Sequence, residues 1–191
     1  MLEVARPGLD EAPMRGFLFG AGAFTAAKAL ADDRLHGRGI HDRLAVALAL
    51  AGTAFRVLGR RDHPLRAGFG AELSVDGHPT PRGARFLLLA TPLDRLMLGL
   101  WPFWGGGDGP LRWLDVPAPP ERLAAALLAA RRNREGREMP AWMASAGYGS
   151  GRAGRISLRL DVPFVLDGEV YEPGPEGLLL SAPVTVAFAV P

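Results

Sequence analysis

Along residues 154–162 the chain alternates. Ile156, Leu158, Leu160 and Val162 are separated by Ser157, Arg159 and Asp161. A period of two is that of a β-strand with one buried and one wet face. Strand-like runs recur at "LRAGFGAELSVDG" (65–77), "RGARFLLLAT" (82–91) and "LRWLDV" (111–116), and the segment 154–190 divides into three more. "RGFLFGAG" (15–22) reads as a buried strand entering a glycine-rich turn. Asp76-Gly77 and Asp167-Gly168 are hairpin turn pairs, because both central residues of the tightest turns need positive φ. The spacing changes elsewhere. Leu44, Leu48, Ala51 and Phe55 follow the helical repeat, with Asp42 able to cap them and Gly59 to stop them. Helices are predicted over 24–35, 42–58 and 120–133, the last with proline at its start and arginines at its end. Residues 95–110 read as a loop carrying large exposed aromatics, and 1–14 as a lead-in. These elements amount to an antiparallel, β-rich α+β domain over 15–191.

Composition narrows the function classes. The 191 residues are 48% hydrophobic and 22% charged, which suits a folded globular chain rather than a disordered one. Net charge is +2, too small to argue for a nucleic-acid partner. Lys28 is the single lysine, so 21 of the 22 basic residues are arginine, a bias that a GC-rich genome explains. There is no cysteine, which excludes disulfides and thiolate metal sites. The N-terminus lacks the pattern of a secretory signal, and the longest apolar run (44–55) is shorter than the roughly 20 residues needed to span a bilayer. A soluble, cytoplasmic protein is expected.

Two glycine motifs invite phosphate readings. "GSGRAG" (149–154) fits G-x-G-x-x-G, but a strand pattern follows it where a dinucleotide site needs a helix, so a flexible loop is expected. "GGDGP" (106–110) is again followed by a strand, and Pro110 lacks the N–H that a phosphate would use. A hairpin loop is the plainer reading. The four histidines show no metal-ligand spacing, and no serine sits in a nucleophile elbow. "LWPFW" (100–104) sets three aromatics beside glycines. They either plug the end of a core or contact an acyl chain or membrane interface. "RRNREGR" (131–137) is a solvated helix end or an anionic-headgroup contact.

Taken in order, four segments resemble one family. "FLFGAGAF" (17–24) is similar to the segment opening the C-terminal domain of bacterial diacylglycerol and sphingosine-type lipid kinases. "RFLLLATP" (85–92) resembles the strand after that family's first hairpin, "GDGPLRWLDV" (107–116) its DG-x-L strand, and "LDGEVY" (166–171) its DGE hairpin. The resemblance implies an antiparallel β-sandwich with helical insertions that packs, in the family, on a nucleotide-binding domain bearing a GGDGT loop. No counterpart of that domain precedes residue 15, so the chain resembles the second half of such an enzyme, either a part or a stand-alone remnant. By the same resemblance Glu169, with Asp167 beside it, is expected to be catalytic and to face the interdomain cleft, in a groove beside the glycine-rich turn. Phe24, Trp101, Phe103 and Trp104 would bind the lipid. Asp108 matches a metal-site position of some members, although Gly105 stands where those members carry a basic residue. Mg²⁺ and ATP are expected only where a nucleotide-binding domain is supplied. Partners would be a diacylglycerol-like or sphingoid lipid, a GGDGT-bearing domain or chain, and transiently a membrane surface. A non-catalytic lipid-binding or protein-interaction module is the alternative.

Overall fold

The computed structural model describes residues 1–26, 28, 63–96, 100–134 and 136–184. The helices predicted over 24–35 and 42–58 lie outside these, apart from a helical start at 23–26. Twelve strands form one antiparallel sheet. They are β1 (Leu2–Ala5), β2 (Met14–Gly16), β3 (Phe19–Gly22), β4 (Phe69–Val75), β5 (His78–Pro79) and β6 (Gly83–Thr91). After these come β7 (Leu111–Pro117), β8 (Gly149–Ala153), β9 (Arg155–Leu160), β10 (Phe164–Leu166), β11 (Glu169–Tyr171) and β12 (Leu178–Ser181). Besides the helical start at 23–26 and a 3-10 turn at Pro64–Ala67, the described residues form α1 (Leu123–Arg132), inside the predicted 120–133, and the short α2 (Ala141–Ser145). Among the described residues no helix is long and apolar enough to cross a membrane.

The α+β, antiparallel expectation agrees with this architecture. The strands do not divide into two separate sheets, however. The hydrogen-bonded path runs β11-β10-β3-β6-β4-β9-β12-β1-β2, with β7 and β8 branching from the far edge of β6. β3 and β2 lie near opposite ends of that path, yet Phe17 and Leu18 alone separate them in sequence. The sheet therefore curls into a half-barrel. The Asp167 carboxylate fastens the seam, accepting hydrogen bonds from Phe17 N (2.9 and 3.0 Å) and Leu18 N (2.8 Å).

Both Asp-Gly hairpins form as expected, with φ of 49° and 82° at Asp76-Gly77 and 50° and 93° at Asp167-Gly168. Asp76 acts like Asp167, taking hydrogen bonds from Gly154 N and Arg155 N at the start of β9. Three expectations need correction. Residues 2–5, read as lead-in, form β1 between β12 and β2, with Leu2 and Val4 fully buried. The single strand read at 15–22 is two strands meeting at the corner Phe17–Leu18. The presumed loop "GSGRAG" is β8, paired with β7. Its glycines make room for an indole: a side chain at Gly149 would stand 2.9 Å from the Trp113 ring.

Period-two alternation divides the side chains between two cores. Leu88 and Ala90 of β6, Leu111 of β7, Leu2, Val4, Ile156, Leu158, Leu178 and Leu180 fill the inside of the curl. There Phe19, Phe164 and Tyr171 stack with ring centroids 5.3 and 5.7 Å apart. Full burial of one such side chain contributes about 1.5–3 kcal/mol. The outer face of β6 and β7 carries Phe86, Leu114 and Val116 against α1, α2 and the 101–104 loop.

Candidate functional site

The outer core is not filled. Between β6, β7, the start of β3 and α1 lies a cavity of about 720 Å³, open on one side. Its floor is Leu87 and Leu89 with Leu114 and Val116, the residues that alternate with the filled inner face. α1 lines one wall through Leu123, Ala126, Leu127 and Ala130, a helical spacing that turns one apolar stripe inward. Phe24 and Trp104 also line the cavity. Phe24 lies there because residue 20 is glycine: a side chain at Gly20 would stand 2.3 Å from the Phe24 ring.

Polar groups are few and gathered. Asp167 and Gly168 line the cavity beside Phe17 and Leu18, the two residues whose N–H groups Asp167 holds. Phe17 O accepts a hydrogen bond from Thr91 Oγ1 (2.6 Å), which itself accepts one from Leu93 N (3.1 Å). Leu93 and Arg95 follow on the same rim. Tyr148 also lines the cavity. Its hydroxyl donates to Glu121 O at 2.6 Å, and burial pushes its pKa up to about 12, so it stays a neutral donor.

Of the expected site residues Phe24, Trp104 and Asp167 line the cavity, and Trp101, Phe103, Asp108 and Glu169 do not. The aromatic loop is buried rather than exposed, with Trp101, Phe103 and Trp104 at 8%, 3% and 4% exposure. It is pinned at every step. Trp101 N donates to Ala130 O, and the Asn133 side chain at the end of α1 donates to Trp101 O and Phe103 O. Trp104 N donates to Ser150 Oγ. Trp101 packs edge-on against Phe103, and the Arg112 guanidinium lies 5.4 Å above its ring. Of the three, Trp104 reaches the cavity.

Asp167 is a fastener of backbone. Glu169 is exposed and accepts a hydrogen bond from the Tyr171 hydroxyl at 2.6 Å, which raises the Tyr171 pKa. Opposite Leu166 in the ladder, and on the face of Tyr171, Glu169 belongs to the inner face of the sheet at its edge. The cavity lies on the other face, so the expected direction into a groove beside the glycine-rich turn is not the observed one. Asp108 is exposed on its loop, and among the described residues no three His, Cys, Asp or Glu side chains gather to hold a metal. The neighbouring glycines instead serve the sheet: Gly106 O accepts from Arg152 N on the open edge of β8.

A buried pair of opposite charges, with no local signal in the sequence, joins β6 and β7. Arg85 Nε stands 2.8 Å from Asp115 Oδ1, with both side chains buried. The N–H is not aimed at the oxygen, so the contact is an ion pair rather than a well-directed hydrogen bond. Burial pushes the Asp115 pKa up to about 6 against the opposing pull of Arg85. Arg85 is also held by Gly83 O, Thr80 Oγ1 and Pro81 O. The pair lies outside the cavity lining.

No protein-family model matches the chain, and no curated protein matches it in sequence. Similar solved structures exist. A diacylglycerol kinase from Bacillus anthracis str. Sterne aligns over 94% of this chain and 49% of its own, at 8% identity and a TM-score of 0.47. A candidate diacylglycerol kinase from the same organism aligns over 94% and 52%, at 11% identity and a TM-score of 0.49. The chain thus spans about half the length of the bacterial diacylglycerol kinases to which its structure is similar.

Proposed function

We propose that this chain holds the acyl portion of a lipid, as the lipid-binding half of a diacylglycerol- or sphingosine-kinase-like enzyme. The observation that carries lipid binding is the 720 Å³ cavity, its described lining mostly Leu, Ala, Val, Phe, Met and Trp. A site of that size falls within the roughly 300–1,000 Å³ of small-ligand pockets, and its apolar wall selects against ligands that keep their hydration. The kinase half of the reading rests on the four ordered motifs of the sequence. ATP and Mg²⁺ would come with a GGDGT-bearing domain, which would also supply the reacting centre. The cavity would then fix the lipid's position relative to that centre.

A second reading, a non-catalytic lipid-binding module, is favoured by one observation: Asp167 is spent on backbone N–H groups, and Glu169 faces away from the cavity. Both readings share one test. A fluorescent acyl reporter should bind the full chain and be displaced by monoolein, and a brominated acyl chain should quench Trp104. Leu127→Trp, which fills the cavity from α1, should weaken binding tenfold or more. Unchanged binding in that variant would remove the cavity from the function. Joining the chain to a GGDGT-bearing domain then separates the readings, since phosphorylation of the bound lipid occurs only under the first.

A further inference from the structure

Resting on the reading of the cavity as a lipid site, we infer that its ligand is a single-chain lipid with a negatively charged head, and that Arg95 receives the head. Three observations converge. In its described lining the cavity carries its charged side chains, Asp167 and Arg95, toward the corner of Phe17 and Leu93, and the other side chains are apolar apart from the Tyr148 hydroxyl, which is already engaged with Glu121 O. An amphiphile therefore enters in one orientation, tail toward Leu114, Val116 and Ala126, head toward the corner of Phe17, Leu93 and Arg95.

The charged group left with open hydrogen-bonding capacity at that rim is a cation. Asp167 carries the other formal charge in the described lining, and its two oxygens already accept hydrogen bonds from Phe17 N and Leu18 N. Asp94, next to Arg95, is bound to Arg112 Nη2 at 2.6 Å. Arg95 itself is exposed, lines the cavity, and makes no ion pair or hydrogen bond with a described residue. A guanidinium at the mouth of an apolar site is suited to a carboxylate or phosphate, which it meets with paired N–H donors. A neutral glyceride offers it nothing comparable.

Volume sets the number of chains. If a methylene takes about the share of space of a liquid water, roughly 30 Å³, an eighteen-carbon chain needs on the order of 540 Å³ and two such chains about twice that. The first fits within 720 Å³ and the second does not.

The test uses the full chain and four probes below their micelle-forming concentrations: oleate, oleoyl lysophosphatidate, monoolein and dioleoyl phosphatidate. The expected result is that one or both single-chain anions bind roughly tenfold more tightly than monoolein, the scale of one charge-assisted hydrogen-bonded contact. That preference should shrink as salt is added. Preference between oleate and the phosphate ester tells a carboxylate source from a phosphate source. Arg95→Gln, at an exposed position, should keep the thermal midpoint while erasing the preference for anions over monoolein. Equal binding of monoolein and the anions, or an unchanged preference in Arg95→Gln, overturns the charged head and leaves the apolar cavity standing. Phosphatidate binding as tightly as its lyso form overturns the single chain. Failure of every probe to bind overturns the lipid reading itself.

Discussion

The two faces of strand β6 are built from the same residue types and do opposite things. Leu88 and Ala90 point into the curl, where the residual void they border is about 10 Å³. Leu87 and Leu89 point the other way, into a cavity of about 720 Å³. Protein interiors normally close to crystal-like density, because a void forfeits dispersion contacts on every wall. Filling on one side and emptiness on the other, a single residue apart, separates the part of the molecule that holds the fold from the part that can accept a guest.

The widest test of that contrast is a matched pair. Leu88→Ala should cost about 2–5 kcal/mol of stability, the range for opening a void in a filled core. Leu89→Ala enlarges a void that already exists, so it should cost about 1 kcal/mol and act mainly on acyl-reporter affinity. Urea unfolding of both variants decides the matter, and equal costs would mean that the cavity is as tightly closed in solution as the inner core.

A smaller effect comes from the charge on the inner face of β7. In the folded chain Asp115 keeps its proton up to about pH 6, whereas an unfolded aspartate releases it near about 4. Between those values the folded state binds more protons, so the contribution of this group to stability falls as pH rises and levels off above 6. The change is on the order of 2–3 kcal/mol. Asp115→Asn should lose that slope when unfolding is compared at pH 4.5 and 7.5. Parallel slopes in the variant and the parent would refute it.

The smallest effect is expected at Glu169. Glu169→Gln keeps an acceptor for the Tyr171 hydroxyl and sits at an exposed edge, so stability should change by less than about 0.5 kcal/mol. Acyl-reporter binding should not change at all, because the side chain belongs to the face opposite the cavity. A clear loss of binding would reunite the hairpin with the site.

What the sequence disclosed follows from the range of the forces involved. Strands such as 154–162 and the two Asp-Gly turns were legible because alternation and positive-φ chemistry act over a few residues. Strand β8 was not: two glycines in five residues speak against a strand until Trp113, on the neighbouring strand, is seen to need their missing side chains. The short N-terminal strand β1 was equally hidden, since one of its two partners, β12, lies at the far end of the described chain and the other, β2, is only three residues long. The aromatic loop read either as a core plug or as an exposed contact, and Asn133 and Ala130 of the helix end, with Ser150 of β8, explain why it is buried. For the site, Phe24 and Trp104 were named from sequence and do line the cavity. The α1 wall and Arg95 carried no local signal of such a role.

The seam at Asp167 bears on how the chain is assembled during synthesis. β1 and β2 occupy the beginning of the chain, yet they gain a neighbour only from β12, and the corner at Phe17–Leu18 is fastened only when Asp167 is made. On a ribosome, which releases earlier segments first, those strands must wait with open edges until Asp167 and β12 have been made. An open edge is a template for pairing with other chains. Arg15 and Glu3, ion-paired at 2.9 Å across β1 and β2, put charge on that waiting ribbon and so disfavour its capture before the half-barrel closes.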